Sequence, residues 1–380
     1  MLKLAVLSIS TLLISFVSVS GVFPALAEDL GLTGMQSELM MTIPALAVII
    51  FIFISNWLVT KIGLKNTVLL GMLTSGVAGI LPTFMSSFMP ILISRFFLGA
   101  GTGLVNTWAV RYITLLFDQK EAATLMGFRS SAEIIGQTIV AALASVLFTF
   151  GWHMSFLAYS IAFVSAFLIW KFIPNVEIKN PEKEEKTRTK LPWVVYLLAA
   201  FSALIVMTAA SIVFRFPALA TAIREDGYNP NVMMTVWPVL SIVAALTYGK
   251  LSQWLGKKLL YIALMLLIIA TFLTGFSGDN YYMLVIGLFL HGVVPAWFFP
   301  FIFMTVSKMT TGRGQSIAFS YIVIGIKSGV FLIPFGVSLI EFILSTDALT
   351  APYPLLGALL LIATGFIATF GKKIVRSAYL

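Results

Sequence analysis

The sequence predicts an all-α membrane protein with twelve transmembrane helices in two pseudo-symmetric six-helix bundles. Three observations carry this expectation. Of 380 residues, 59% are hydrophobic and only 10% charged, whereas a soluble domain carries about 25% charged residues. Twelve apolar runs each have the length of a helical bilayer crossing. Short strings also recur along the chain at one fixed offset.

The apolar runs fall near residues 4–26, 37–55, 67–86, 90–112, 122–149, 154–173, 193–217, 232–250, 259–277, 281–303, 315–338 and 352–371. The first could be mistaken for a secretory leader, since Lys3, an apolar stretch and Ala-Leu-Ala precede Glu28 and Asp29. Its length argues against that, because a leader's apolar core runs to only about 7–15 residues. So does the repeat. "PALA" occurs at 24–27 and again at 217–220, and "MMT" at 40–42 and 233–235, both 193 residues apart. The same offset aligns "NWLVTKIGLK" (56–65) with "GKLSQWLGKK" (249–258), matching Leu58 to Leu251, Gly63 to Gly256 and Lys65 to Lys258. A leader has no reason to be copied at the head of the second half, so the first run is expected to be a span. Pro24 and Pro217 are expected to kink or end equivalent helices.

Between the sixth and seventh runs lies "IPNVEIKNPEKEEKTRTKLP" (173–192), a mixed-charge stretch with three prolines. It divides the chain into an N-terminal bundle (1–173), a solvated linker (174–192) and a C-terminal bundle (193–380). With the N-terminus inside, all 24 Lys and Arg except Arg95, Arg129, Arg215, Arg224 and Lys327 fall on the inner side. That bias predicts a multi-pass protein of the cell membrane with both termini and the linker in the cytoplasm.

The absence of cysteine excludes disulfides, thiol nucleophiles and thiolate metal sites. The two histidines, His153 and His291, are far apart in sequence. There is no phosphate-binding G-x-x-x-x-G-K-[ST] loop, no pair of catalytic acids and no nucleophile elbow. The chain is therefore not expected to be an enzyme or a nucleotide-driven pump, and no cofactor or metal is expected. Its formal charge of +9 is assigned to cytoplasmic loops facing lipid headgroups rather than to nucleic acid.

Two six-span halves joined by a charged linker resemble the major facilitator superfamily of secondary transporters. Three motifs carry the resemblance. The family's G-x-L-x-D-R-x-G-R-R loop after the second span is matched by "NWLVTKIGLK" at Lys61, Gly63 and Lys65, with Thr60 in place of the acid and Asn56 in place of the first glycine. Its second copy, after the eighth span, keeps Gly249, Leu251, Gly256, Lys257 and Lys258. In both, glycine permits a tight turn and the lysines anchor helix ends at the anionic leaflet. The family's R-x-x-x-G-x-G in the fourth span is matched by "RFFLGAGTG", with Arg95, Gly99 and Gly101. Of the drug-antiporter motif G-P-x-x-G-G, only Gly136 is kept in "GQTIVA".

The resemblance implies that spans 1, 4, 7 and 10 line a central cavity, flanked by spans 2, 5, 8 and 11. Six ionisable residues fall within or near these spans: Arg95, Arg129, Glu133, Arg215, His291 and Lys327. None falls on spans 3, 6, 9 or 12. A charge at the bilayer centre costs at least about 2.5–3.5 kcal/mol, so each is a candidate for the substrate or proton pathway. Glu133, His291 and Lys327 lie roughly 15 Å from a span end at 1.5 Å per residue, near the midplane where such transporters bind solute. Arg129 and Glu133, at i and i+4, share a helix face. They form either a structural ion pair or a pair in which Glu133 carries a proton. His291 serves either a helix–helix hydrogen bond or the pathway. The resemblance associates Arg95 with proton coupling. Trp108, Trp237 and Trp297 could contact a ring or cation, or simply pack.

The excess of bases over the one acid within these spans favours an anionic or zwitterionic solute. The resulting expectation is a monomeric secondary transporter in the lipid bilayer. It moves a small organic solute by alternating access, coupled to protons and directed outward. Uptake or exchange of an organic anion is the alternative.

Overall fold

The computed structural model describes residues 1–176, 191–224, 228–310 and 312–377. The described residues form helices and no strands. Ten helices are long and apolar enough to cross a membrane, and two further bent pairs bring the number to twelve if each pair is one span. The helices are α1 (Leu2–Ser8), α2 (Phe23–Asp29), α3 (Gly34–Ile62), α4 (Leu64–Ile80), α5 (Phe88–Leu116), α6 (Gln119–Phe148) and α7 (Ile161–Phe172), then α8 (Trp193–Ile223), α9 (Asn231–Leu255), α10 (Lys258–Gly275), α11 (Tyr281–Met309), α12 (Gly312–Phe331), α13 (Ile333–Leu344) and α14 (Pro352–Ser377). Tight 3₁₀ turns join α1 to α2 and precede α7 at Trp152–Ser160. Most of the predicted linker, residues 177–190, lies outside the described residues.

The bent pairs are where sequence and structure differ most. The first span breaks between residues 9 and 22 and bends by 48°. Serine and threonine hydroxyls crowd this stretch. Thr11 donates to the Ser8 carbonyl at 2.8 Å and Ser15 to the Leu12 carbonyl at 2.9 Å, so side chains compete with the helical ladder. The eleventh span bends by 50° after Leu332, where Pro334 enters the first turn of α13 without an N–H to donate. Of the two outcomes expected of the "PALA" prolines, a kink or an end, the end is not what the structure shows. Pro24 opens α2 rather than ending a helix, and α8 runs six residues past Pro217.

The chain divides into two compact units. The first comprises Met1–Glu185 with Asn229–Val236, and the second Lys186–Tyr228 with Trp237–Leu380. In the first unit α5 is gripped from two sides. A Cβ on Gly99 would overlap the Pro44 backbone of α3, and one on Gly101 would overlap Gly71 and Ser75 of α4. The spacing in "RFFLGAGTG" thus lets α5 touch two neighbours backbone to backbone, which is how membrane helices associate without a hydrophobic drive between them. Gly136 does the same for α6 against the Thr11 backbone. Lys3 pairs with Glu121 at 2.8 Å, and Lys65 donates to the Trp170 carbonyl at 2.8 Å. The starts of α1 and α6 therefore share one end of the unit, as do the start of α4 and the end of α7.

In the second unit Gly325 and Gly329 of α12 lie against the carbonyls of Ala199 and Ala203 of α8. One device recurs in both units. Tyr159 donates to the Ser15 carbonyl at 3.1 Å, and Tyr353 donates to the Ser211 carbonyl at 3.0 Å. Each phenol is fully buried and links the last span of its unit to the first.

The paired loops test the repeat at backbone level. Gly63 sits between α3 and α4 at φ 81° and ψ 164°, a region essentially closed to residues with a Cβ. Gly256, between α9 and α10, has φ 53°. Gly249 does not share this role, since it lies inside α9 at an ordinary helical φ. Gly63→Ala is expected to cost about 1–3 kcal/mol from backbone strain. Gly249→Ala, with open space around it, should instead stabilise by up to ~1 kcal/mol. Thermal unfolding midpoints of the two purified variants, moving in opposite directions, check this.

Candidate substrate and proton pathway

In the first unit Arg95 is buried deep in α5, at 1% exposure. Nε donates to the Met40 carbonyl at 3.2 Å, Nη1 to the Tyr159 hydroxyl at 3.0 Å, and Nη2 to the Phe16 carbonyl at 2.7 Å. The guanidinium also lies 5.6 Å from the centre of the Phe23 ring. This arginine is held on every nitrogen and ties α3, the 3₁₀ segment before α7 and the broken first span together.

Arg129 and Glu133 form the expected i, i+4 pair on α6, with Nη2 2.5 Å from Oε1. Both side chains are about four-fifths buried. The Nε of Arg129 is buried with no hydrogen-bond partner among the described residues. The pair sits mid-helix, its two opposite charges one turn apart on the same face. Trp108 donates its indole N–H to the Ser55 hydroxyl at 3.2 Å and is packed between α5 and α3.

In the second unit Arg215 of α8 is 4% exposed. Its Nη1 meets Glu341 Oε1 at 2.8 Å and the Leu349 carbonyl at 3.1 Å. Glu341 belongs to α13, beyond the end predicted for the eleventh span. Lys327 of α12 is buried, at 8% exposure. Arg224, one of the five bases not assigned to the inner side, stacks 4.0 Å from the centre of the Tyr281 ring, whose hydroxyl lies 2.8 Å from that of Tyr228. Burial, and then the hydrogen bond to Tyr281, raise the Tyr228 hydroxyl above its ordinary value, so it stays protonated.

His291 of α11 is buried, its ring 5.3 Å from that of Trp237, and its Nδ1 has no hydrogen-bond partner among the described residues. The helix–helix hydrogen bond considered for it is therefore not made at Nδ1. The imidazole instead lines a pocket of about 120 Å³ formed by α8, α11 and α12. Trp297 donates to the Ala244 carbonyl at 3.0 Å, tying α11 to α9.

The loop residues Lys61, Gly63, Lys65, Gly249, Gly256, Lys257 and Lys258 lie at or near the α3–α4 and α9–α10 junctions, away from these buried groups. Two acids escaped the sequence reading. Glu38 is buried one turn into α3, and Glu341 is largely buried against Arg215. Both stand close to span ends, where an acid is ordinarily assigned to a loop. With them counted, and with Arg95 and Arg215 held by structural partners, the excess of base is smaller than the sequence suggested. Among the described residues there is no group of three or more His, Asp or Glu that could hold a metal ion.

The sequence profile of the Major Facilitator Superfamily matches residues 5–229. The chain is 28% identical over 160 residues to the inner membrane transport protein YnfM of Escherichia coli, covering 41% of this chain and 38% of that one. It is 26% identical over 157 residues to the probable sulfoacetate transporter SauU of Cupriavidus necator, covering 41% of this chain and 36% of that one. The chain spans about half the length, or less, of the curated relatives it matches. In fold it is similar to the xylose transporter XylE of E. coli in an inward-open conformation, with a TM-score of 0.77 at 14% identity over 96% of this chain and 94% of that one. Helix content and span number agree with the profile. The chain belongs to the Major Facilitator Superfamily.

Proposed function

We propose that this chain is a secondary active transporter of the cell membrane. It moves a small organic solute by alternating access, coupled to protons and directed outward, as a monomer with both termini in the cytoplasm. The observation that carries the reading is the Arg129–Glu133 pair, four-fifths buried in an apolar helix. A carboxylate buried there beside an arginine is a group that can take up a proton when solute draws that arginine away. Its arginine then becomes available to the solute or to water. Membership of a transporter superfamily and the relative named as an inner membrane transport protein support the general class. The outward direction rests on the compact twelve-span form, common among efflux members.

The test is transport in proteoliposomes under an imposed pH gradient, run in both directions. Glu133→Gln is expected to cut gradient-driven transport at least tenfold while leaving solute exchange near the wild-type rate. Equal loss of both activities would reduce the pair to a structural role.

Uptake or exchange of an organic anion is supported by a different observation. A relative is named as a probable sulfoacetate transporter, and Lys327 keeps a cation buried in α12. If Lys327→Ala leaves affinity for a panel of carboxylates and sulfonates unchanged, this second reading is lost.

A further inference from the structure

α3 and α9, both long and apolar enough to span a membrane, end in the two matched loops. At the offset of 193 residues, Trp57 aligns with Lys250 and Lys61 with Trp254. The residue types are exchanged, yet each helix end keeps one tryptophan and one lysine at i and i+4, on a single face. All four side chains are exposed, Trp57 at 60% and Trp254 at 81%. None makes a side-chain hydrogen bond, an ion pair or a ring contact with another described residue. An indole at the end of a spanning helix sits at headgroup level. It offers an N–H and an apolar face, and the lysine one turn away offers an uncommitted ammonium. A phospholipid presents the complement: a phosphodiester for the ammonium, ester carbonyls for the N–H and a glycerol–acyl edge for the ring. The two ends differ in one respect. In the second unit Lys257 and Lys258 follow Trp254, both exposed and both without such a partner among the described residues. The positions aligned with them are Leu64, which is buried, and Lys65, whose ammonium is taken up by the Trp170 carbonyl at 2.8 Å.

We infer that each of these helix ends is a binding seat for the headgroup of an anionic phospholipid, and that the seat at the α9–α10 junction takes a headgroup with two phosphodiesters. Lys61 or Lys250 meets a phosphate while the indole one turn away lies against the glycerol esters. Lys257 and Lys258 supply the second seat with charge for a second phosphate. Each seat lies within one unit and requires only that its helix spans, so it is independent of the solute and of the direction of transport. It also goes beyond the general attraction of basic loops to an anionic leaflet, because it fixes a stoichiometry, requires the tryptophans and ranks the two ends.

Native mass spectrometry of the delipidated full chain in detergent counts bound lipid directly. Titration with phosphatidylglycerol is expected to fill two saturable sites, and phosphatidylcholine to fill neither. Cardiolipin, which carries two phosphodiesters, should occupy one of them at least about fivefold more tightly than the other. Lys250→Ala should weaken that tighter site about fivefold, the worth of one lysine beside an anionic surface. Trp254→Ala should weaken it by a similar factor through the lost N–H bond. Lys61→Ala and Trp57→Ala should weaken only the other site. All four positions are exposed, so the variants keep the fold in which binding is read. Simple charge attraction ignores an indole, so binding indifferent to both tryptophan substitutions overturns the seats. Binding that never saturates overturns them too. Displacement of bound phosphatidylglycerol by inorganic phosphate would mark a site for free anions and overturn the lipid assignment.

Discussion

Arg95→Ala is expected to destabilise the first unit by on the order of 3–5 kcal/mol, since each acceptor it abandons costs about 1–3 kcal/mol when buried unsatisfied and the losses are not additive. Three separate acceptors depend on it: the Met40 carbonyl, the Tyr159 hydroxyl and the Phe16 carbonyl. The last matters most. Phe16 lies where the first span abandons its regular ladder for 3₁₀ turns. In a medium without water, a carbonyl exposed by such a break must find a donor within the protein. Arg95 supplies one at 2.7 Å, and Tyr159 serves the neighbouring Ser15 carbonyl in the same way. Arg95→Lys keeps the charge but offers a single nitrogen that cannot reach three divergent acceptors. It should fold, with an unfolding midpoint between those of wild type and alanine variant. Thermal unfolding in detergent checks the order. A midpoint for Arg95→Ala equal to wild type would remove the structural role and return the residue to the proton-coupling role implied by resemblance.

The span pattern was legible because the bilayer enforces it. Backbone groups in hydrocarbon must be paired internally, so spanning segments are long apolar helices, and their ends lie within seven residues of the predicted ones. The Arg129–Glu133 pair was legible for a local reason, since i and i+4 positions meet on any helix. The loop glycines Gly63 and Gly256 were legible through their repeat, and their positive φ values explain why that residue type stands there. The breaks at residues 9–22 and at Leu332 were harder to see. They arise from hydroxyl competition and a proline inside apolar stretches whose composition still says helix. The partners of Arg95 and Arg215 were hidden for another reason. They come from segments 55 to 134 residues away, and no periodicity within one span records a contact with another. The tyrosine pair, Tyr159 and Tyr353, illustrates the same limit. Its members stand on the last span of each unit, but neither tyrosine gives any sign in the sequence of the carbonyl it serves. His291 stands out in the sequence as an ionisable residue within a span, while the apolar character of its surroundings follows only from which faces of α8, α11 and α12 meet.

Arg215→Ala is expected to lose about 3–5 kcal/mol, the usual result of removing one partner from a buried ion pair and leaving the other charge uncompensated. Here the abandoned groups would be the Glu341 carboxylate and the Leu349 carbonyl. The bond ties α8 to α13, the part of the eleventh span that follows its 50° bend. Without it, that segment keeps fewer attachments to the rest of the unit, because Pro334 has already interrupted its hydrogen-bonded continuity with α12. The sign of the paired substitution separates charge from packing. Arg215→Met combined with Glu341→Leu removes both charges and keeps volume, so it should recover most of the loss or exceed wild-type stability by about 1–4 kcal/mol. Glu341→Leu alone should be nearly as damaging as Arg215→Ala, since it strands a cation that is 95% buried at the side chain. A double-mutant cycle on unfolding free energies gives the coupling directly. A coupling below about 0.5 kcal/mol would mean the two charges are solvated independently, and the link between α8 and α13 would then have to rest on packing alone.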